Sequence, residues 1–104
     1  MEQIFSLKDK VAIITGGNGG IGKEIARAFA GRGAHIVIAA RNAHKTADAE
    51  RELAEGYGIR TLGLTVDVGD EKQVSRMVGE TLQTFKRVDI LVNITTANKH
   101  MKIG

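Results

Sequence analysis

One stretch near the N-terminus, Val11–Gly22, constrains the fold of this chain most. It reads VAIITGGNGGIG, so an apolar run passes directly into five closely spaced glycines. Ile21, Ile25 and Phe29 then follow at the spacing of an amphipathic helix. A strand, a glycine turn and a helix in this order favour phosphate binding, because glycine allows close backbone approach and a helix N-terminus attracts negative charge.

The glycine turn therefore predicts an anion site. Its contact residues are expected to be Gly16, Asn18, Gly19, Gly20, Ile21 and Gly22. The alternative is a glycine-rich turn that binds nothing, and the legible strand and helix on either side favour the phosphate site.

The rest of the chain alternates short apolar runs with amphipathic segments. Strands are predicted over 10–15, 35–40, 61–66 and 89–93, and helices over 20–31, 43–55 and 71–86. This βαβαβαβ pattern predicts one α/β domain over residues 1–104, with a parallel sheet and helices on both faces. With the first strand central, the expected strand order is 3-2-1-4, and a ligand is expected at the carboxyl ends of the strands.

Composition excludes several functional classes. Hydrophobic residues make up 42% of the 104 positions and charged residues 26%, which is typical of a globular domain. The net charge of +3 comes from well-mixed acids and bases, so we expect no nucleic-acid partner. There is no cysteine, no apolar run long enough to span a membrane and no recognisable signal peptide. We therefore expect a cytoplasmic protein without a membrane partner.

Three landmarks carry a resemblance to a known family. They are Thr15-Gly16-x-x-x-Gly20-x-Gly22 after the first strand, Asp67-Val68 after the third, and Asp89-Ile90-Leu91-Val92-Asn93 as the fourth. In this order they resemble the cofactor-binding half of the short-chain dehydrogenase/reductase family. The resemblance implies a Rossmann-type doubly wound sheet, truncated here after the fourth strand. It also implies contacts of Asp67 and Val68 with the adenine side of a dinucleotide, and of Asn93 with a ribose.

Family members transfer hydride between a nicotinamide and an alcohol or carbonyl substrate. Their catalytic Ser and Tyr-x-x-x-Lys fall beyond the position that corresponds to Gly104, and four residues after Tyr57, the only tyrosine, stands Thr61. We therefore expect no catalytic residue here, no hydride transfer by this chain alone, and a small-molecule substrate only for a full-length form. Ile94, Thr95 and Thr96 also depart from the family's small residues after the fourth strand. The alternative function is a non-catalytic dinucleotide-binding or protein-interaction domain.

The end of the second strand bears on the choice of cofactor. NAD-binding folds place an acid there, whereas an arginine accommodates the 2′-phosphate of NADP. This strand ends in Ala40-Arg41-Asn42, without an acid, and Lys45 follows one helical turn later. Arg41 and Asn42 are thus predicted cofactor contacts, and NADP is favoured. NAD remains the alternative, because Gly19 stands where NADP-type members often carry a second base.

Two further expectations concern metals and assembly. The three histidines, His35, His44 and His100, are far apart and lack spaced partners, so no metal site is expected. The fourth strand is apolar, and the polar segment after it offers no further strand. Unpaired strand edges recruit other chains, so we expect either self-association through this edge or the third helix, or that the chain is part of a longer polypeptide.

Overall fold

The structure is a computed structural model that describes residues 6–16 and 19–94. Its elements in chain order are β1 (Val11–Thr15), α1 (Gly20–Gly31), β2 (His35–Ala40), α2 (Ala43–Tyr57), β3 (Thr61–Thr65), α3 (Glu71–Phe85) and β4 (Ile90–Asn93). All strand pairings are parallel, and the sheet has the order β3-β2-β1-β4. The predicted fold class and strand order are confirmed. Strand boundaries differ from the prediction by at most one residue.

The register brings the carboxyl ends of the four strands to one edge. Thr15, the last residue of β1, pairs with Ala39 on one side and with Asn93 on the other. Ala40 at the end of β2 pairs in turn with Thr65 at the end of β3. Segments that follow the strands therefore leave the sheet side by side.

Alternate residues of the central strands face opposite helices. Ala12 and Ile14 of β1 belong to a buried cluster with Ala26 of α1 and Leu53 of α2. Val11 and Ile13 belong to the other cluster, which contains Met77 and Phe85 of α3. Because successive side chains of a strand point to opposite faces, α1 and α2 cover one face and α3 the other.

Ion pairs at the surface join α1 to α2. Glu52 of α2 forms ion pairs with Lys23 and Arg27 of α1. The hydrogen bond from Lys23 is the main reason why the pKa of Glu52 lies below its usual value. These exposed pairs orient the two helices, although the buried apolar contacts beneath them account for most of the packing energy.

The N-terminal ends of β1 and β4 are joined by one carboxylate. The Asp89 carboxylate accepts a hydrogen bond from the backbone N–H of Val11 at 2.8 Å. It also accepts two from Arg87, from Nε at 2.8 Å and from Nη2 at 3.0 Å. The bonds from Arg87, followed by that from Val11, hold the pKa of Asp89 below its usual range. This clip fixes where β4 begins beside β1.

Two details of α2 differ from expectation. We expect its apolar face to comprise Ala43, Ala47, Leu53 and Ala54, but the buried residues are Thr46, Ala49 and Leu53. The threonine methyl packs onto β3, where a Cβ added at Gly63 would lie 3.0 Å from it. Tyr57, expected in a turn, is the last helical residue, because the left-handed cap at Gly58 (φ 69°) comes after it.

Candidate functional site

The carboxyl edge of the sheet gathers most of the predicted site. Gly16 follows β1, Arg41 and Asn42 follow β2, and Asp67 follows β3, while Asn93 ends β4. The shared register places these segments in neighbouring positions along one edge. Asn18 lies outside the residues that the structure describes.

The glycine turn begins with a sharp change of direction at Gly16. Its φ of 74° suits glycine, and its N–H donates to the carbonyl of Ala39 at 2.8 Å. A Cβ at this position would lie 3.1 Å from the carbonyl oxygen of Ile94. The first glycine thus lets the chain leave β1 while lying closely against the exit of β4.

Gly19 and Gly20 leave the entrance to α1 open. Gly20 has a φ of 58°, and a Cβ added at either glycine would meet no atom of residues 6–16 and 19–94 within 4 Å beyond its chain neighbours. Gly22, by contrast, is buried in the first turn of the helix. The turn therefore exposes backbone at its middle and packs tightly at its end.

The N-terminus of α1 differs from those of the other helices. Asn42 caps α2 by accepting the N–H of Lys45, and Asp70 caps α3 by accepting the N–H of Lys72. Gly19 caps α1 without a side chain, and its first turn holds no acid. N–H groups that no side chain of the described residues caps, with the positive end of a helix dipole behind them, suit an anion.

Asn93 is held in place by a buried neighbour on β1. The hydroxyl of Thr15, 3% exposed, donates to Asn93 Oδ1 at 2.8 Å and accepts the N–H of Ile94 at 2.9 Å. This arrangement occupies the oxygen of the Asn93 amide and leaves its NH₂ group for a ligand. The motif pointed to Asn93 but carried no signal for the role of Thr15.

The end of β2 offers a cation. Arg41 is exposed, and its guanidinium makes no hydrogen bond or ion pair to the rest of residues 6–16 and 19–94. The side-chain oxygen of Asn42 accepts the N–H of Lys45 at 2.9 Å, and its NH₂ group is left as a donor for a ligand. The structure thus brings both predicted residues to the edge and gives Asn42 a second task as helix cap.

A network of hydrogen bonds shapes the loop after β3. The carboxylate of Asp67 accepts the N–H of Gly69 at 2.9 Å, and the backbone N–H of Asp67 donates to Gln73 Oε1 at 2.9 Å. Val68 is 41% exposed beside them. Sequence reasoning missed Gln73, because one glutamine in a helical pattern resembles any other polar surface residue.

Two other kinds of feature, a metal site and a membrane span, have no counterpart in the described part of the chain. Among residues 6–16 and 19–94, no three histidine or acidic side chains lie together so that they could hold a metal ion. None of the helices in this part is long and apolar enough to cross a membrane.

The strand order and the glycine turn between β1 and α1 define a Rossmann-type fold. Comparison with known proteins gives the family: the chain belongs to the short-chain dehydrogenases, whose family model matches residues 10–103. The three sequence landmarks all lie within this range.

Known relatives are substantially longer. The chain is 41% identical over 96 residues to the uncharacterized oxidoreductase YhxC of Bacillus subtilis, covering 92% of this chain and 33% of that protein. It is 44% identical over 92 residues to the peroxisomal 2,4-dienoyl-CoA reductase of Pongo abelii, covering 88% of this chain and 32% of the reductase. The chain thus spans about a third of the length of these curated relatives.

Solved structures show the same fold. L-sorbose reductase from Gluconobacter frateurii, solved with NADPH and L-sorbose, matches with a TM-score of 0.85 and 41% identity over 88% of this chain and 35% of the reductase. Xylitol dehydrogenase bound to NAD+ matches with a TM-score of 0.78 and 28% identity over 82% of this chain and 32% of the dehydrogenase. Structural neighbours therefore include complexes with either nicotinamide cofactor.

Proposed function

We propose that this chain binds a nicotinamide dinucleotide as the cofactor-binding part of a short-chain oxidoreductase. The observation that carries the proposal is the open N-terminus of α1, which lies at the same sheet edge as Arg41, Asp67 and Asn93. The NADPH complex of L-sorbose reductase, which shares the fold and 41% of the aligned sequence, supports it.

Each part of the cofactor has a matching group. The pyrophosphate would lie against the backbone of residues 19–22, where N–H groups and the helix dipole favour negative charge. The free carboxylate oxygen of Asp67 would accept a hydrogen bond from the adenine amino group, and Val68 would lie beside the adenine ring. The NH₂ group of Asn93 would donate to a ribose hydroxyl. These roles divide the dinucleotide along the edge from β3 to β4.

We propose NADP rather than NAD as the preferred cofactor. The support is Arg41 at the end of β2, with an exposed guanidinium and no acid beside it. A guanidinium presents a fork of donors that fits a phosphate and cannot be neutralised at physiological pH. An NAD enzyme requires a carboxylate at this position to bind the ribose 2′-hydroxyl.

Hydride transfer to or from an alcohol or carbonyl substrate is proposed only for a polypeptide that also supplies the family's catalytic Ser and Tyr-x-x-x-Lys. The candidate site described above contains neither that Ser nor a Tyr-x-x-x-Lys sequence. The competing function is a binding module without catalysis. Sequence that continues beyond residue 104 and encodes Tyr-x-x-x-Lys favours the enzyme, and its absence from the natural gene favours the module.

The exposed edge of β4 supports a further proposal, self-association. Within residues 6–16 and 19–94 this strand pairs with β1 alone, and Leu91 on it is 56% exposed. Unpaired N–H and C=O groups beside apolar side chains favour pairing with a second copy. Sedimentation over a range of concentrations tests this, and a monomer at all of them contradicts it.

Gly19→Asp tests cofactor binding directly. Gly19 has an extended backbone (φ −175°, ψ 168°) and open space around it, so the aspartate fits and can cap α1. The added carboxylate competes for the same N–H groups and repels phosphate. We expect calorimetry to show NADPH binding by the native chain and none by the variant, while thermal unfolding shows stability equal to or above that of the native chain.

A matched control separates the site from the change in charge. Gly56→Asp adds the same side chain near the end of α2, where a Cβ also meets nothing within 4 Å. We expect this variant to bind NADPH as the native chain does. Equal binding by the Gly19→Asp variant would contradict the anion site.

A further inference from the structure

The loop between β3 and α3 is braced by the side chain of Gln73. Its Oε1 accepts the backbone N–H of Asp67 at 2.9 Å, and its Nε2 donates to Asp70 Oδ2 at 3.1 Å. Asp70 also accepts the N–H of Lys72 through its other oxygen, and its N–H donates to the carbonyl of Asp67 at 3.0 Å. One amide side chain therefore connects the start of the loop to the cap of the helix.

This brace acts on the residue that would meet the adenine. The carboxylate of Asp67 has one oxygen on the N–H of Gly69, at 2.9 Å, and its other oxygen has no hydrogen-bond partner among the described residues. The bond from Gln73 fixes the backbone of Asp67, and the bond from Gly69 fixes its side chain. Together they orient the free oxygen on an otherwise exposed loop.

We infer that Gln73 is a positioning residue that orients Asp67 toward the adenine amino group of the dinucleotide. The inference rests on the proposed function, because it needs a bound dinucleotide. Gln73 does not touch the cofactor in this assignment. It lowers the cost of binding by ordering the loop before the ligand arrives, and such preorganisation increases affinity without a new contact.

The pKa of Asp70 accords with this network. The hydrogen bond from the backbone N–H of Lys72, followed by that from Gln73, lowers the pKa of this carboxyl below its usual value. Both oxygens of this carboxylate act as acceptors, one for the N–H of Lys72 and the other for the amide NH₂ group of Gln73. The oxygen Oε1 of the same side chain then faces the backbone N–H of Asp67, which is a donor and needs an acceptor.

The test compares two identical substitutions on one helix. Gln73→Met removes both hydrogen bonds while keeping a side chain of similar length. Gln83→Met makes the same change at an exposed position of α3. We expect the first to weaken binding of NADP+ about fivefold, the effect of losing one ordinary hydrogen bond, and the second to leave binding unchanged.

A modified cofactor distinguishes positioning from general destabilisation. Etheno-NADP+ has its adenine amino group closed into a ring, so it cannot donate to Asp67. We expect it to bind the native chain and the Gln73→Met variant with nearly equal affinity. An equal fivefold loss for both cofactors would show that the substitution acts on the whole fold and would overturn the inference.

Hydrogen exchange gives a readout that needs no cofactor. The amide of Asp67 should exchange at least fivefold faster in the Gln73→Met variant than in the native chain or the Gln83→Met control. Unchanged exchange overturns the inference by itself. Failure of the native chain to bind NADP+ would instead contradict the proposed function, so the two failures are distinct.

Discussion

The hydroxyl of Thr15 donates to Oδ1 of Asn93 across a distance of 2.8 Å, linking the carboxyl ends of β1 and β4. The same hydroxyl accepts the N–H of Ile94, so one buried oxygen serves both the last residue of β4 and the residue after it. It thereby fixes the rotamer of the Asn93 amide. A residue of the neighbouring strand therefore orders the segment at the end of β4 without any ligand.

Replacing Thr15 with valine should therefore affect both stability and binding. Valine has the same shape but leaves the Asn93 oxygen and the Ile94 N–H without this partner. We expect the free energy of unfolding in urea to fall by about 0.5–1.5 kcal/mol, the net value of an ordinary hydrogen bond, because Asn93 is exposed and its oxygen can bind water instead. NADPH affinity should fall as well. Thr15→Ser, which retains the hydroxyl, should lose less of both, and a larger loss in the serine variant would contradict this role.

Arg41→Ala tests the cofactor preference. If the guanidinium holds the 2′-phosphate, binding of NADPH should weaken by about 1.5–3 kcal/mol, the value of charge-assisted hydrogen bonds. NADH, which lacks that phosphate, should be little affected. Arg51→Ala on the exposed face of α2 serves as the charge-matched control, measured by the same calorimetric titration. Equal losses of NADPH and NADH affinity in the Arg41 variant would refute the assignment.

The clip at Asp89 predicts a specific dependence of stability on pH. Because hydrogen bonds from Arg87 and Val11 lower its pKa in the folded state, its stabilisation is complete above the unfolded pKa of about 3.9 and disappears as pH falls through the folded value. Asp89→Asn should thus be less stable than the native chain at pH 7, with the difference shrinking below about pH 4.

Denaturant unfolding across this pH range measures the effect. Asp48→Asn provides the control, because Asp48 is an exposed aspartate whose ion pairs, with His44 and Arg51, lie within α2. It should leave the curve nearly unchanged. A difference between native chain and Asp89→Asn variant that stays constant down to pH 2 would show that the carboxylate acts by packing rather than by charge.

Two glycines with positive φ permit a test of close packing. At Gly58 (φ 69°) an added Cβ meets nothing within 4 Å, so Gly58→Ala should cost only the backbone strain of about 1–2 kcal/mol. At Gly33 (φ 96°) the Cβ would lie 3.0 Å from the Cα of Lys8, so Gly33→Ala should cost more. Thermal unfolding of both variants measures the difference, and equal costs would show that the segment before β1 moves aside freely.

The sequence predicted the sheet well because its signals are local and repeated. Apolar runs alternate with helical periods, and Gly58 and Asp70 mark helix ends, so the elements and their order could be predicted. The buried face of α2 could not, because Thr46 counts as polar in a pattern but packs through its methyl group. Only the fold shows that this methyl group meets a glycine on β3.

The candidate site likewise contains residues that the sequence predicted and residues whose roles it did not predict. Gly16 and Arg41 could be predicted from their places after strands, because parallel strands bring such positions together, whereas Asp67 and Asn93 were implied by the family resemblance. The roles of Thr15 and Gln73 could not be predicted, since they depend on partners 78 and 6 residues away in sequence. The sequence thus points to groups that we propose face a ligand, whereas the groups that hold them in place are visible only in three dimensions.

The two side-chain clips on β4 also limit how this segment can vary in length. Asp89 binds β1 at one end of the strand and Asn93 binds it at the other. The number of residues between them must therefore match the length of β1. One inserted or deleted residue breaks a clip and turns every later side chain to the opposite face. Natural variants should therefore keep Asp89 and Asn93, exchange residues 90–92 among apolar types while keeping their number, and gain or lose residues only in the loops outside.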